Sequence, residues 1–177
     1  MYSVRTLDTP EIYHFFSIAR KDKHKKSKMF TDDRCDNYLQ FHLLENDESP
    51  VAMCGIYPFN EILVRVSDRM FHFPEYRNKG IGINVRYWTD HFKPIQTKWC
   101  IENGYVPFHS CEGVRRRTAF KEIVSRNPDY TLLDHMYQTC SKDAKECWQS
   151  ISILKGHENC MTLPRRSVDE VLKTFGY

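Results

Sequence analysis

Apolar and polar positions along the chain change rhythm several times, and each change marks an element. Ser3 to Leu7 alternates as a short strand. Thr9-Pro10-Glu11 supplies a hydroxyl cap, a proline for the first helical position and an acid for the first turn. Ile12, Phe15, Phe16 and Ala19 follow at helical spacing, which predicts a helix to about Arg20. Thr31-Asp32-Asp33 signals a second helix start, opening a short helix near Cys35 to Tyr38. Three strands come next. Leu39 to Glu45 and Val51 to Tyr57 flank the turn-rich Asn46 to Pro50 as a hairpin, and a turn at Pro58-Phe59-Asn60 leads to a long β-rich segment, Ile62 to Phe73. In that segment the alternation puts Val64, Val66, Asp68, Met70 and His72 on one face.

Beyond Gly82 the apolar positions Ile83, Val85, Tyr87, Trp88, Phe92, Ile95, Trp99 and Ile101 suit one long helix or two, with a kink or break at Pro94 and a close at Asn103-Gly104. Tyr105 to Cys111 reads as a strand and Val114 to Val124 as a basic helix. A turn at Asn127-Pro128-Asp129 precedes a strand from Tyr130 to Thr139, and a further strand runs from Trp148 to Leu154. Ser167 to Glu170 is a capping box for a last helix. Early antiparallel strands and a later βαβ crossover imply an α/β fold with a mixed sheet and helices on both faces. At 177 residues the length fits a single domain over 1–177, with 155–177 as a C-terminal extension carrying a helix.

Composition narrows the class. An apolar fraction of 41% and an aromatic fraction of 14% point to a globular chain. No apolar run is long enough to span a bilayer, and Met1 to Leu7 lacks the pattern of a signal peptide, so no membrane association is expected. Seven cysteines, odd in number and with no C-x-x-C pair, fit free thiols in a reducing cytoplasm and neither a disulfide framework nor a metal site. The net charge of +3 is too small for a chain built to coat nucleic acid, and the run Lys21 to Lys28 reads as a solvated loop.

The chemistry concentrates in Phe71-His72-Phe73-Pro74-Glu75-Tyr76-Arg77-Asn78-Lys79-Gly80-Ile81-Gly82. A strand stopped by proline, a basic turn with two glycines and a helix start together make a phosphate site, because glycine admits close backbone approach and helix N–H groups attract anions. The turn is not a P-loop, since Gly80 has no glycine five residues before it and no G-K-S/T follows. Nor is it a dinucleotide fingerprint, which needs glycine where Val85 stands. What remains is R-x-x-G-x-G after P-E-Y, before a long helix ending in N-G-Y and then a strand.

That context closely resembles motif A of the GNAT family of acetyl-CoA-dependent N-acetyltransferases, over roughly Val4 to Cys140 and most strongly from Met70 to Tyr105. The resemblance implies a mostly antiparallel mixed sheet of six to seven strands. It implies that backbone N–H groups of Arg77, Asn78, Lys79, Gly80, Ile81 and Gly82 hold the CoA diphosphate. Phe71, His72 and Phe73 would pair with the pantetheine amides, and a backbone N–H near His72 or Phe73 would polarise the thioester carbonyl. Candidate catalytic groups are Asp68, His72 and Glu112, and Arg116, within Arg115 to Arg117, is the candidate for the CoA 3′-phosphate. The family's helix asparagine and the tyrosine seven residues on have no counterpart here: Arg116 and Ile123, or Gly113 and Phe120, stand in those places. Tyr130 and Tyr137 are weak substitutes, and Cys111 is a further residue near the cleft.

The leading expectation is transfer of acetyl to a small-molecule or protein amine by direct attack in a ternary complex, with no metal. The alternative is an inactive CoA-binding or protein-interaction module of the same fold. Nucleic-acid binding through Lys21 to Lys28 and Arg115 to Arg117 ranks third, and a homodimer is admitted.

Overall fold

A computed structural model describes residues 1–23, 28–77, 87–112, 124–136 and 148–161, with backbone alone at 111–112, 134–136 and 148–150. They fall in two compact units, Met1–Tyr105 and Val106–Tyr177. In the first unit β1 (Tyr2–Thr6), β2 (Gln40–Asn46), β3 (Ser49–Pro58) and β4 (Leu63–His72) form an antiparallel meander in which each strand pairs with the next. The hairpin between β2 and β3 turns on two residues, Asp47 at φ 47° and Glu48 at φ 66°. Left-handed backbone at both positions matches the turn to the right-handed twist of the strands.

Helix α1 (Thr9–Lys21) is capped by Asp8 rather than Thr9. The Asp8 carboxylate accepts from Glu11 N (2.9 Å) and the Glu11 carboxylate accepts from Asp8 N (3.0 Å). This reciprocal box needs the acid three residues after the cap, and a cap at Thr9 would place Ile12 there. The expected second helix is a 3₁₀ segment, Asp32–Asn37, whose Thr31 cap makes no side-chain hydrogen bond. Ile12, Phe15, Phe16 and Ala19 of α1 pack with Phe30, Cys35, Phe41, Leu43, Met53, Phe71 and Phe73, and Tyr13 and Tyr38 lean on the same cluster. Each large apolar side chain fully buried in this way contributes about 1.5–3 kcal/mol. Tyr13, Phe15, Phe16 and Tyr38 are thus packing residues of the core.

Gly55 of β3 is part of that packing. A Cβ there would lie 2.4 Å from Phe41 Cδ2 and 2.5 Å from Tyr38 Cδ1. Gly55→Ala is expected to cost about 1–3 kcal/mol by forcing two core rings off their rotamers. An unchanged urea midpoint in that variant would rule the explanation out.

The alternation expected along β4 holds through Val64, Val66 and Asp68, then breaks: Met70 is half-buried and Phe71 buried. Two bulges cause this. Pairing steps from Tyr57 opposite Arg65 to Gly55 opposite Asp68 and on to Met53 opposite Phe71, so β4 inserts one extra residue at each step. Ser67 (φ 51°) and Arg69 (φ 54°) carry the left-handed backbone. Helix α2 (Lys93–Glu102) carries Pro94 in its first turn, but the backbone before it is already helical, so the helical run is split near Pro94, as expected. The irregularity lies just before it, in a π turn at Trp88–Phe92. Gly104 at φ 75° ends the helix, with Gly104 N donating to Ile101 O and Tyr105 N to Cys100 O, the hydrogen bonds of a Schellman cap.

In the second unit β7 (Trp148–Leu154) pairs antiparallel with both β5 (Val106–Glu112) and β6 (Tyr130–Met136). Phe108, Tyr130, Ile151 and Ile153 are buried. The expected basic helix from Val114, the strand end at Thr139 and the helix after Ser167 lie largely outside the described residues. No helix among the described residues is long and apolar enough to cross a membrane. Cys35, Cys54, Cys100 and Cys160 are free thiols, and burial pushes the first three up, Cys35 to about 11 and Cys100 to about 12.

Candidate acyl-transfer site

β4 ends at His72, just before the segment expected to hold phosphate. Phe71 and Phe73 turn their rings into the core, edge to face with each other at 5.2 Å and against Phe30 (5.3 Å) and Phe15 (6.0 Å). Their side chains hold the strand end down. Phe73 N donates to Val51 O (3.0 Å), so that N–H belongs to the β3–β4 ladder. By strand alternation the His72 peptide faces the opposite edge. There its carbonyl accepts from Arg77 Nε at 2.7 Å. The His72 ring is buried and stacks on Tyr87 at 5.6 Å.

Pro74–Tyr76 forms one 3₁₀ turn, closed by Tyr76 N on Phe73 O (2.9 Å) and Arg77 N on Pro74 O (3.3 Å). Arg77 then forks onto the Asp22 carboxylate, Nη1 to Oδ1 at 2.9 Å and Nη2 to Oδ2, with its guanidinium 4.8 Å above the Phe71 ring. A bidentate pair of this kind is among the strongest side-chain contacts. It ties the end of β4 to the C-terminal end of α1. Asn78, Lys79, Gly80, Ile81, Gly82 and Arg116 lie outside the described residues, as do Tyr137 and the side chains of Cys111 and Glu112, the last residue of β5. Tyr130 is buried, its ring 5.4 Å from that of His109.

Asp68 sits in a dense polar cluster. Its Oδ2 accepts from Tyr38 Oη (2.8 Å) and Arg34 Nη2 (3.2 Å), and Arg65 Nη1 stands 3.6 Å from Oδ1. The carboxylate is buried, while Arg34 and Arg65 keep 17% and 30% of their side-chain surface exposed. Burial, then the Asp68 charge, pushes the Tyr38 hydroxyl far up, so it stays a donor. A carboxylate held by two hydrogen bonds and a further ion pair suits an anchor for arginines better than a proton acceptor open to substrate.

A second network stabilises the bulge. Ser67 N, displaced from the ladder, donates to Gln96 Oε1 (3.1 Å), and Trp88 Nε1 donates to the same oxygen (3.1 Å). Both partners can only donate, which fixes the amide orientation and leaves Nε2 as donor to His42 Nδ1 (3.3 Å) and Cys54 Sγ (3.4 Å). Gln96 is fully buried, and burial lowers His42 to about 4. Nothing in the local sequence marks Gln96, because a glutamine on a helix reads as a surface residue until the partner elements are placed. Arg34 and Arg65 escaped the sequence reading for the same reason.

Near the start of β4, Asp33, Arg34, Tyr57, Pro58, Phe59 and Arg65 line an open pocket of about 400 Å³. Arg34 stacks on the Tyr57 ring at 3.9 Å. Among the described residues no three His, Cys, Asp or Glu side chains cluster as metal ligands would.

The fold is that of the GNAT acetyltransferases: α/β, with seven strands and flanking helices. Several solved structures carry it. The spermidine N-acetyltransferase of Vibrio cholerae, in complex with CoA and spermine, matches at TM-score 0.56 and 10% identity, over 86% of this chain and 94% of that one. A GNAT family acetyltransferase from Elizabethkingia anophelis with acetyl-CoA bound matches at 0.51 and 12%, over 86% and 95%. An N-acetyltransferase from Staphylococcus aureus Mu50 matches at 0.56 and 16%, over 86% and 96%. At such identities the likeness is one of fold. No protein-family model matches the chain, and no curated protein matches it.

Proposed function

We propose that the chain is an acetyl-CoA-dependent N-acetyltransferase, a single catalytic domain in which an amine attacks the thioester directly in a ternary complex. The observation that carries this reading is the placement of R-x-x-G-x-G immediately after the last strand of the β2–β4 meander, in a fold shared with acetyltransferases. Gly80 and Gly82 remove Cβ atoms where a diphosphate must come close, and Lys79 adds counter-charge. Arg77, tied to Asp22, positions the turn more than it supplies charge. At the strand end it is the His72 peptide, on the edge away from β3, that faces the pantetheine arm, and Arg116 is the candidate for the 3′-phosphate.

In the reaction the amine lone pair attacks the carbonyl carbon, the C–S bond breaks, and the amine proton leaves to a base while the thiolate departs. His72 and Glu112 are the remaining base candidates once Asp68 is assigned to Arg34 and Arg65. That same engagement of Asp68 favours a second reading, a CoA-binding module without turnover.

The test is thermal. Saturating acetyl-CoA is expected to raise Tm by several degrees, because ligand at a hundred times Kd stabilises by about 2.7 kcal/mol. Gly82→Trp is expected to abolish the shift. No shift at millimolar acetyl-CoA rejects both readings. A shift without thiol release across a panel of amines and peptide N-termini selects the non-catalytic module.

A further inference from the structure

We propose that the pocket at Arg34 and Arg65 receives a carboxylate of the acceptor, and that the acceptor is an amine of roughly tripeptide length with that carboxylate at its far end. The inference rests on the acetyl-transfer reading above and names its substrate class. Arg34 has five N–H donors, and its hydrogen bond is a single one, Nη2 to Asp68. Its Nε is buried without a partner, and its stacking on Tyr57 fixes the plane of the guanidinium. The exposed remainder of the group lines the pocket beside Arg65, which Asp68 orients from behind. Two partly buried guanidiniums held in place by one buried carboxylate present a preorganised fork to a planar oxyanion. Asp33 is exposed at the rim, where solvent screens it. Tyr57, Pro58 and Phe59 give the pocket an apolar side suited to the carbon skeleton of a peptide. A cationic polyamine would meet the two arginines unfavourably.

Length follows from the strand register. Arg65 pairs with Tyr57 and Phe71 with Met53, four β3 residues apart, which puts the pocket about 13 Å along the sheet from Phe71. A pantetheine arm entering from Arg77 and running beside His72, whose peptide faces away from β3, points its sulfur toward the pocket. The acceptor amine at the thioester and its carboxylate at the arginines are then separated by about 10 Å, close to three residues of extended peptide.

Binding of Ala-Ala-Ala and of its C-terminal amide, measured by calorimetry in the presence of CoA, tests this with a pair that differs by one carboxylate. The free acid is expected to bind at least about 10-fold tighter, the lower end for charge-assisted hydrogen bonds. Arg65→Gln is expected to bring the two within about twofold while the acetyl-CoA shift in Tm persists, since Arg34 and Tyr38 still satisfy Asp68. Equal binding, binding by neither, or preference for spermidine overturns the proposal. If the acetyl-CoA shift survives, only the acceptor assignment falls. A carboxylate preference without an acetyl-CoA shift leaves the pocket standing and rejects the acetyl-transfer reading.

Discussion

Asp68→Asn is expected to lower the stability of the fold by about 3 kcal/mol, the lower end of the cost of breaking a buried ion pair. Arg34 and Arg65 would lose their common anion, but both reach solvent and can rehydrate in part. Arg34→Leu should cost more than Arg65→Leu, because Arg34 donates to Asp68 at 3.2 Å and Arg65 stands at 3.6 Å. Tyr38→Phe removes one hydrogen bond to the same oxygen and should cost about 1 kcal/mol or somewhat more. Urea midpoints read all four, and a loss below about 1 kcal/mol for Asp68→Asn would reject the anchoring role. Kinetics separate anchor from base. Per folded molecule, Asp68→Asn should change kcat by no more than a few-fold and raise KM, whereas removing a general base lowers kcat by about a hundredfold or more.

Acid is expected to destabilise the fold through His42. The imidazole lies on β2 opposite Cys54, buried, with Gln96 Nε2 donating to Nδ1. Burial holds it near pH 4, against 6.5 for an ordinary histidine, and a proton on Nδ1 would also meet the Gln96 donor. Between these values the unfolded chain takes up a proton that the folded chain refuses. Stability contributed by the neutral ring is therefore complete above about pH 6.5 and is lost as pH falls toward 4, about 3 kcal/mol over the whole window. His42→Leu removes that dependence. Urea melts of both proteins at pH 7.5, 5.5 and 4.5 decide it: the stability gap between them must close or reverse as pH falls, and a gap independent of pH rejects the account.

Much of the fold was legible because it is local. Period-two runs gave β2, β3 and β7 to within a residue or two, and Asn103-Gly104 marked the end of α2. Errors came where two local signals competed. Thr9 and Asp8 are both good caps, and the position of Glu11 decided between them. The alternation through β4 misled past Asp68 because bulges leave no fixed signature when neither positive-φ residue is glycine: Ser67 and Arg69 adopt that backbone here.

The candidate site divides the same way. The sequence alone supplied the candidate phosphate turn, since strand, proline, basic residue and paired glycines lie within twelve consecutive positions. Only the tertiary structure decided what Asp68, Arg77, Gln96 and Arg34 do. Arg77 meets Asp22 across 55 residues, Asp68 meets Arg34 across 34, and Gln96 meets His42 across 54. Whether a charged or polar side chain is a free reagent or a committed strut depends on which partner the fold brings within about 3 Å. No local pattern encodes that distance, because the chain pairs these residues only after the strands have set their register.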